Sequence, residues 1–136
     1  MQTPPSVVLA DDHPDVLEEA RALLEPEFHV VSSAAEGNAL LRAVVEWKPD
    51  IVVTDVQMPG RSGIEVGREI VQRGLCGAVV VLSLYSDPQL IQSALDGGIR
   101  GYVLKHDAGE ELVPALRAVL AGERYLSRGL AGTRRP

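Results

Sequence analysis

The stretch Ile51-Val52-Val53-Thr54-Asp55-Val56-Gln57-Met58-Pro59-Gly60 decides the fold. Its β-branched apolar run reads as a strand buried on both faces, and the run closes on a carboxylate. Pro59-Gly60 then breaks the chain into a loop. In an open parallel α/β sheet the carboxyl ends of the strands form the ligand crevice, so Asp55 is expected at its floor. A single Asp at a strand end is more often a loop cap than a site. A second acidic end changes the reading, because Val7-Val8-Leu9-Ala10-Asp11-Asp12 is another apolar run closing on carboxylates. Acids gathered at neighbouring strand ends repel one another, and a hard divalent cation is the usual remedy.

Outward from these two strands the pattern alternates strand and helix five times. After Asp12-His13-Pro14, a helix carries Val16, Leu17, Ala20, Leu23 and Leu24 at helical spacing; Asp12 is placed to cap it and Pro14 suits its first turn. Phe28 to Val31 is a short strand. Ser33-Ala34-Ala35-Glu36 resembles a capping box for a helix with Leu40, Leu41, Val44 and Val45 inward, and Trp47 at its end reads as packing. Ser62-Gly63-Ile64-Glu65 opens another helix, running to about Arg73. Ala78 to Ser83 is an apolar strand ending on a hydroxyl. Asp87-Pro88 starts a helix that Gly97-Gly98 ends. Arg100 to Lys105 is a fifth strand, closing on a lysine. The last helix, about Ala108 to Ala121, shows Leu112, Leu116, Val119 and Leu120, with Pro114 inside it expected to remove one backbone bond and bend it. From Ser127 on there is no periodicity. Residues 1–126 therefore read as one domain and 127–136 as a disordered tail or linker stub. Strand–helix units with short connections imply a parallel sheet covered on both sides by helices.

Composition narrows the function. At 136 residues, 46% hydrophobic and 24% charged, the chain is long enough for a core without staples. The single cysteine, Cys76, makes no internal disulfide, which fits a cytoplasmic protein. No signal peptide and no membrane-length apolar run is visible. A net charge of −6 argues against direct DNA binding by this chain, whose only basic pair is Arg134-Arg135.

The strand ends together carry Asp11, Asp12, Asp55, Ser83 and Lys105. Helix capping explains any one of them; their complementarity points to phosphoryl transfer onto a carboxylate. Asp55 is the expected nucleophile, with Asp12 and a backbone carbonyl near Gln57 holding Mg2+. Lys105 is expected to neutralise charge on the transferred group, and the Ser83 hydroxyl to donate to one of its oxygens. Lys105 also serves as a plain counter-ion to the acids.

These residues, in this order, resemble the receiver domain of two-component response regulators over about Val7 to Leu126. The matching motifs are Asp11-Asp12, Asp55-x-x-Met58-Pro59-x-x-x-Gly63, Ser83 at the end of the fourth strand, and Tyr102-x-x-Lys105. Asp-Asp-His-Pro and Ala-Gly-Glu-Arg-Tyr-Leu-Ser look like the NarL-type branch, whose members usually carry a C-terminal LuxR-type helix-turn-helix domain. The resemblance implies a doubly wound, five-stranded parallel sheet of flavodoxin-like fold, in order 2-1-3-4-5. It implies Asp55 as phospho-acceptor for a sensor histidine kinase and Mg2+ held by Asp11, Asp12, Asp55 and the Gln57 backbone. It implies Ser83, Lys105 and Tyr102 as the phosphate-binding and switch residues, with a fourth-helix, fifth-strand, fifth-helix face for a homodimer or output domain. Such a domain catalyses only its own phosphorylation and dephosphorylation. Most receivers follow the lysine with a cis proline, whereas His106 stands here; Leu84 is bulkier than the small residue many have after the hydroxyl. No helix-turn-helix follows Ser127, so output is either transcriptional through a further domain or, as a single-domain regulator, through protein–protein contact.

Rival readings fit less well. A dehalogenase-like phosphatase places a second Asp two residues after its nucleophile, where this chain has Gln57. A nucleotide-binding fold needs a glycine-rich phosphate loop that is missing here. A degenerate receiver acting only as an interaction module would not need the intact acidic set and Lys105.

Overall fold

The computed structural model describes residues 3–130. β1 (Ser6–Ala10), β2 (His29–Ala34), β3 (Ile51–Asp55), β4 (Ala78–Ser83), β5 (Gly101–Leu104) and β6 (Tyr125–Leu126) form one sheet in the order β2-β1-β3-β4-β5-β6. Every pairing is parallel. The helices are α1 (Pro14–Leu24), α2 (Gly37–Trp47), α3 (Gly63–Arg73), α4 (Pro88–Asp96) and α5 (Ala108–Leu120).

The two-residue period of a strand decides which helices cover which face. Val7, Leu9, Ile51, Val53, Val80, Leu82 and Val103 pack with Ala20, Leu24, Leu112, Ala115, Leu116 and Val119, placing α1 and α5 on one side. The alternate residues Val8, Ala10, Val52, Val79 and Val81 meet Leu40, Val44, Ile64, Val66, Ile70, Ile91 and Ala94, so α2, α3 and α4 cover the other. Burial of a side chain such as Leu116 contributes about 1.5–3 kcal/mol.

Local signals set several boundaries. The Ser62 hydroxyl accepts from the Glu65 N–H at 3.1 Å to start α3, and the Asp87 carboxylate accepts from the Gln89 N–H at 2.8 Å to start α4. α5 runs unbroken through Pro114. Cys76 is half-buried, and burial pushes its thiol up to about 11.

Other expectations yield to pairing. Ser33 and Ala34 do not open α2: they extend β2, because Leu9 pairs with Ser33 and Ala10 with Ala34, and α2 begins only at Gly37. Asp12 does not cap α1; His13 holds the cap position without a side-chain bond. Val45 lies off the buried stripe of α2, and Trp47 ends that helix; both are largely open to solvent, at 46% and 48%. Leu120 likewise faces outward.

The largest departure is at the C-terminal end. Residues 127–130 are ordered, not a frayed tail; 131–136, with Arg134-Arg135, lie outside the described residues. β6 pairs with Gly101 and Tyr102, so β5 is not the sheet's edge. Beyond it the Ser127 N–H donates to the Tyr102 carbonyl at 3.0 Å, and the Ser127 hydroxyl accepts from the Leu104 N–H at 2.9 Å. Leu130 is fully buried in the Tyr102 side of the core.

Candidate functional site

β1 and β3 are neighbours in register, Ala10 opposite Thr54, and this brings their acidic ends together. Side-chain oxygens of Asp11, Asp12 and Asp55 and a ring nitrogen of His13 all lie within 4.8 Å of one another. Asp11 and Asp55 are buried; Asp12 and His13 face solvent. The loop after β3 is held close: Thr54 Oγ1 donates to the Asp55 carbonyl at 3.0 Å, and the Gly63 N–H donates to the Val56 carbonyl at 2.8 Å. A Cβ at position 63 would collide with the Asp55 carbonyl, which explains the glycine opening α3. Gln57 is exposed on this loop, and its N–H donates to the Asp55 carboxylate.

Lys105 reaches the cluster from the end of β5. It begins a 3-10 turn through Asp107, and its bond to His106 is trans. Its ammonium lies 2.7 Å from Asp11 Oδ2 and 3.2 Å from Asp55 Oδ2, with the side chain 11% exposed. The Asp55 contact is a hydrogen bond. The Asp11 contact, the shorter of the two, is a close ion pair. Burial and the Asp11 charge raise the Asp55 pKa, against the opposing pull of Lys105 and the Gln57 N–H. Burial disfavours the Lys105 ammonium, but Asp11 and Asp55 outweigh it and raise its pKa above the ordinary lysine value. The cluster therefore holds more negative charge than one ammonium offsets. Three clustered carboxylates, two of them buried, beside a single ammonium suit a hard divalent cation.

Ser83 and Tyr102 meet each other, and neither contacts the acids. The Ser83 hydroxyl accepts from the Tyr85 N–H at 2.9 Å and donates to the Tyr85 carbonyl at 3.4 Å. The Tyr102 hydroxyl donates to that same carbonyl at 2.9 Å. Tyr102 is fully buried, and burial raises its pKa. In this conformation its ring is interior, with its hydroxyl on the Tyr85 carbonyl. Leu84 projects into solvent beside them.

Sequence reasoning missed two residues. The sequence places His13 in the lead-in to a helix, although it directly follows the acid pair. Tyr85 lies in the loop after β4; its carbonyl joins Ser83 to Tyr102, and its hydroxyl reaches the Gln57 side chain at 3.4 Å. Only its spacing of two from Ser83 hinted at that part.

The model of the response regulator receiver domain matches residues 7–117. The transcriptional regulatory protein DegU of Brevibacillus brevis is 33% identical over 122 residues, 88% of this chain and 52% of its own. The nitrate/nitrite response regulator protein NarL of Escherichia coli (strain K12) is 33% identical over 131 residues, 95% of this chain and 61% of its own. The chain thus spans between 52% and 61% of the length of these relatives. Among solved structures, a LuxR-family two-component response regulator from Aurantimonas sp. SI85-9A1 superposes with a TM-score of 0.89 at 36% identity, covering 96% of this chain and 95% of that one. The isolated receiver domain of RcsB from Salmonella enterica serovar Typhimurium, in the presence of the phosphomimetic BeF3-, gives 0.87 at 28% identity, covering 96% and 99%.

Proposed function

Because this chain belongs to the response regulator receiver domain family, we propose that it accepts a phosphoryl group on Asp55 from the phosphohistidine of a sensor kinase. The observation that supports this most directly is Lys105 set between the buried carboxylates of Asp11 and Asp55. An Asp55 carboxylate oxygen forms the new bond to phosphorus while the bond from phosphorus to the donor's imidazole nitrogen breaks, and that nitrogen keeps the electron pair. The Lys105 ammonium offsets charge on the phosphoryl oxygens, and the Ser83 hydroxyl, released from Tyr85, donates to one of them. Asp11, Asp12, Asp55 and the Gln57 backbone are the groups that would hold Mg2+, which when bound neutralises the acids and the arriving phosphoryl group. The domain on this reading works in the cytoplasm, and its only catalysis is its own phosphorylation and dephosphorylation.

Release of Ser83 from Tyr85 also alters the carbonyl that holds Tyr102. This couples Asp55 to the face of α4, β5 and α5, where β6 now covers the edge of β5. A second copy or a transcriptional output domain is the partner expected there; the alternative is a single-domain regulator acting by protein contact. The test is Mg2+-dependent uptake of acid-labile phosphate from a phosphoramidate donor. Wild type should be labelled, Asp55→Asn should not, and Asp12→Ala should need more Mg2+. Full labelling of Asp55→Asn would sink the assignment.

A further inference from the structure

His13 is the one member of the carboxylate cluster with a nitrogen donor. Its Nδ1 lies 3.0 Å from Asp11 Oδ1 and 3.0 Å from Asp12 Oδ1. The other oxygens of the buried pair are already engaged, since Lys105 faces Oδ2 of both Asp11 and Asp55. The imidazole and the ammonium thus stand against different oxygens of Asp11. One ring nitrogen carries at most one proton, yet two carboxylate oxygens compete for it at equal distance. A divalent cation would satisfy both.

The position of the ring is set locally. The His13 N–H donates to Asp11 Oδ1 at 2.9 Å, which folds the turn back on the acid, and Pro14 starts α1 immediately after. The side chain is 64% exposed and Asp12 is 36% exposed, so the imidazole side of the cluster is open to ions from solvent. Carboxylate and carbonyl oxygens suit Mg2+, whereas an imidazole favours later first-row divalent cations such as Co2+, Ni2+ and Zn2+.

We propose that His13 is a metal-selecting residue, its Nδ1 joining the carboxylates of Asp11, Asp12 and Asp55 so that the crevice takes imidazole-seeking transition cations as well as Mg2+. This rests on the reading of the crevice as a divalent-cation site. It makes the occupant depend on which cation is available.

The experiment measures binding of Co2+ and of Mg2+ to the full chain by titration, with the visible spectrum of bound Co2+ as the signature of nitrogen ligation. Wild type should bind both, and Co2+ should show a nitrogen-ligand band. His13→Asn keeps an N–H donor for the acids without a ring nitrogen; it should weaken Co2+ by about tenfold or more, lose that band, and change Mg2+ affinity by less than about twofold. His106→Gln, altering an exposed histidine outside the cluster, should behave as wild type. Unchanged Co2+ affinity and spectrum in His13→Asn would overturn the proposal. So would an equal loss of Co2+ and Mg2+, because His13 would then only hold the carboxylates in place. If wild type binds neither cation, or Asp12→Asn and Asp55→Asn leave binding unaltered, the cation-site reading itself fails.

Discussion

Asp55 is ionised at a cost. Burial and the neighbouring Asp11 raise its pKa above the ordinary aspartate value, so the folded protein holds this proton more tightly than the unfolded chain. The sign follows by linkage: the cost of the charged form is complete above the folded pKa and disappears as pH falls through it towards the unfolded value. In metal-free protein, Asp55→Asn should therefore raise the melting temperature at neutral pH, and the gain should shrink on acidification through that range. Added Mg2+ should reproduce much of the gain in wild type and little of it in the variant. Thermal unfolding at a series of pH values checks this; a gain that is absent, or that grows on acidification, would mean Lys105 already compensates the acids. Gly63 belongs to the same scale. Its missing Cβ lets α3 start against the Asp55 carbonyl, so the loop that presents the carboxylate is fixed by one absent atom.

At the scale of elements, β6 and the residues after it are the addition that matters most. β6 is two residues long and pairs with Gly101 and Tyr102, and Ser127 bonds the backbone on both sides of Val103. The Tyr125 hydroxyl donates to the buried Glu111 carboxylate at 3.1 Å, tying the segment to α5. Ser127→Ala removes the acceptor for the buried Leu104 N–H, an unsatisfied donor costing about 1–3 kcal/mol. The predicted outcome is a loss of that size in denaturant unfolding, with faster hydrogen exchange at Leu104, next to Lys105. Unchanged exchange at Leu104 would show that the strap does not support the lysine's strand.

For the whole molecule, function depends on what meets the surface. No described helix is long and apolar enough to cross a membrane. The net charge of −6 opposes the polyanion of DNA. The full chain should give no sequence-dependent shift of duplex DNA at moderate salt; specific retardation would overturn that expectation. Coupling from the crevice to the α4–β5–α5 face should appear as altered self-association when beryllofluoride occupies Asp55, and Ser83→Ala and Tyr102→Ala should blunt it. A linkage of about 1–3 kcal/mol would change association several-fold. If the mimic binds all three proteins and association stays constant in wild type, the relay through Tyr85 does not operate.

The sequence alone determined the sheet's interior and the acidic floor of the crevice. Runs such as Ile51–Thr54 and Ala78–Leu82 are apolar on both faces, and that pattern has few outlets besides a parallel sheet under helices. The caps of α3 and α4 were also legible, because Ser62 and Asp87 act within three residues of their own positions. What tertiary structure decided depended on partners distant in the chain. Ser33 and Ala34 extend a strand because β1 lies alongside, and Tyr125 and Leu126 form one because β5 offers an open edge. Tyr102 shares its core with Leu130, and the Ser127 N–H bonds its carbonyl, although nothing periodic marks either residue. His13 joined the acids only when the turn at Asp11 folded its ring back towards them. Short-range hydrogen bonds and periodicity are written along the chain; the pairing of edges and the convergence of loops are not, since they depend on which surfaces the finished core leaves adjacent.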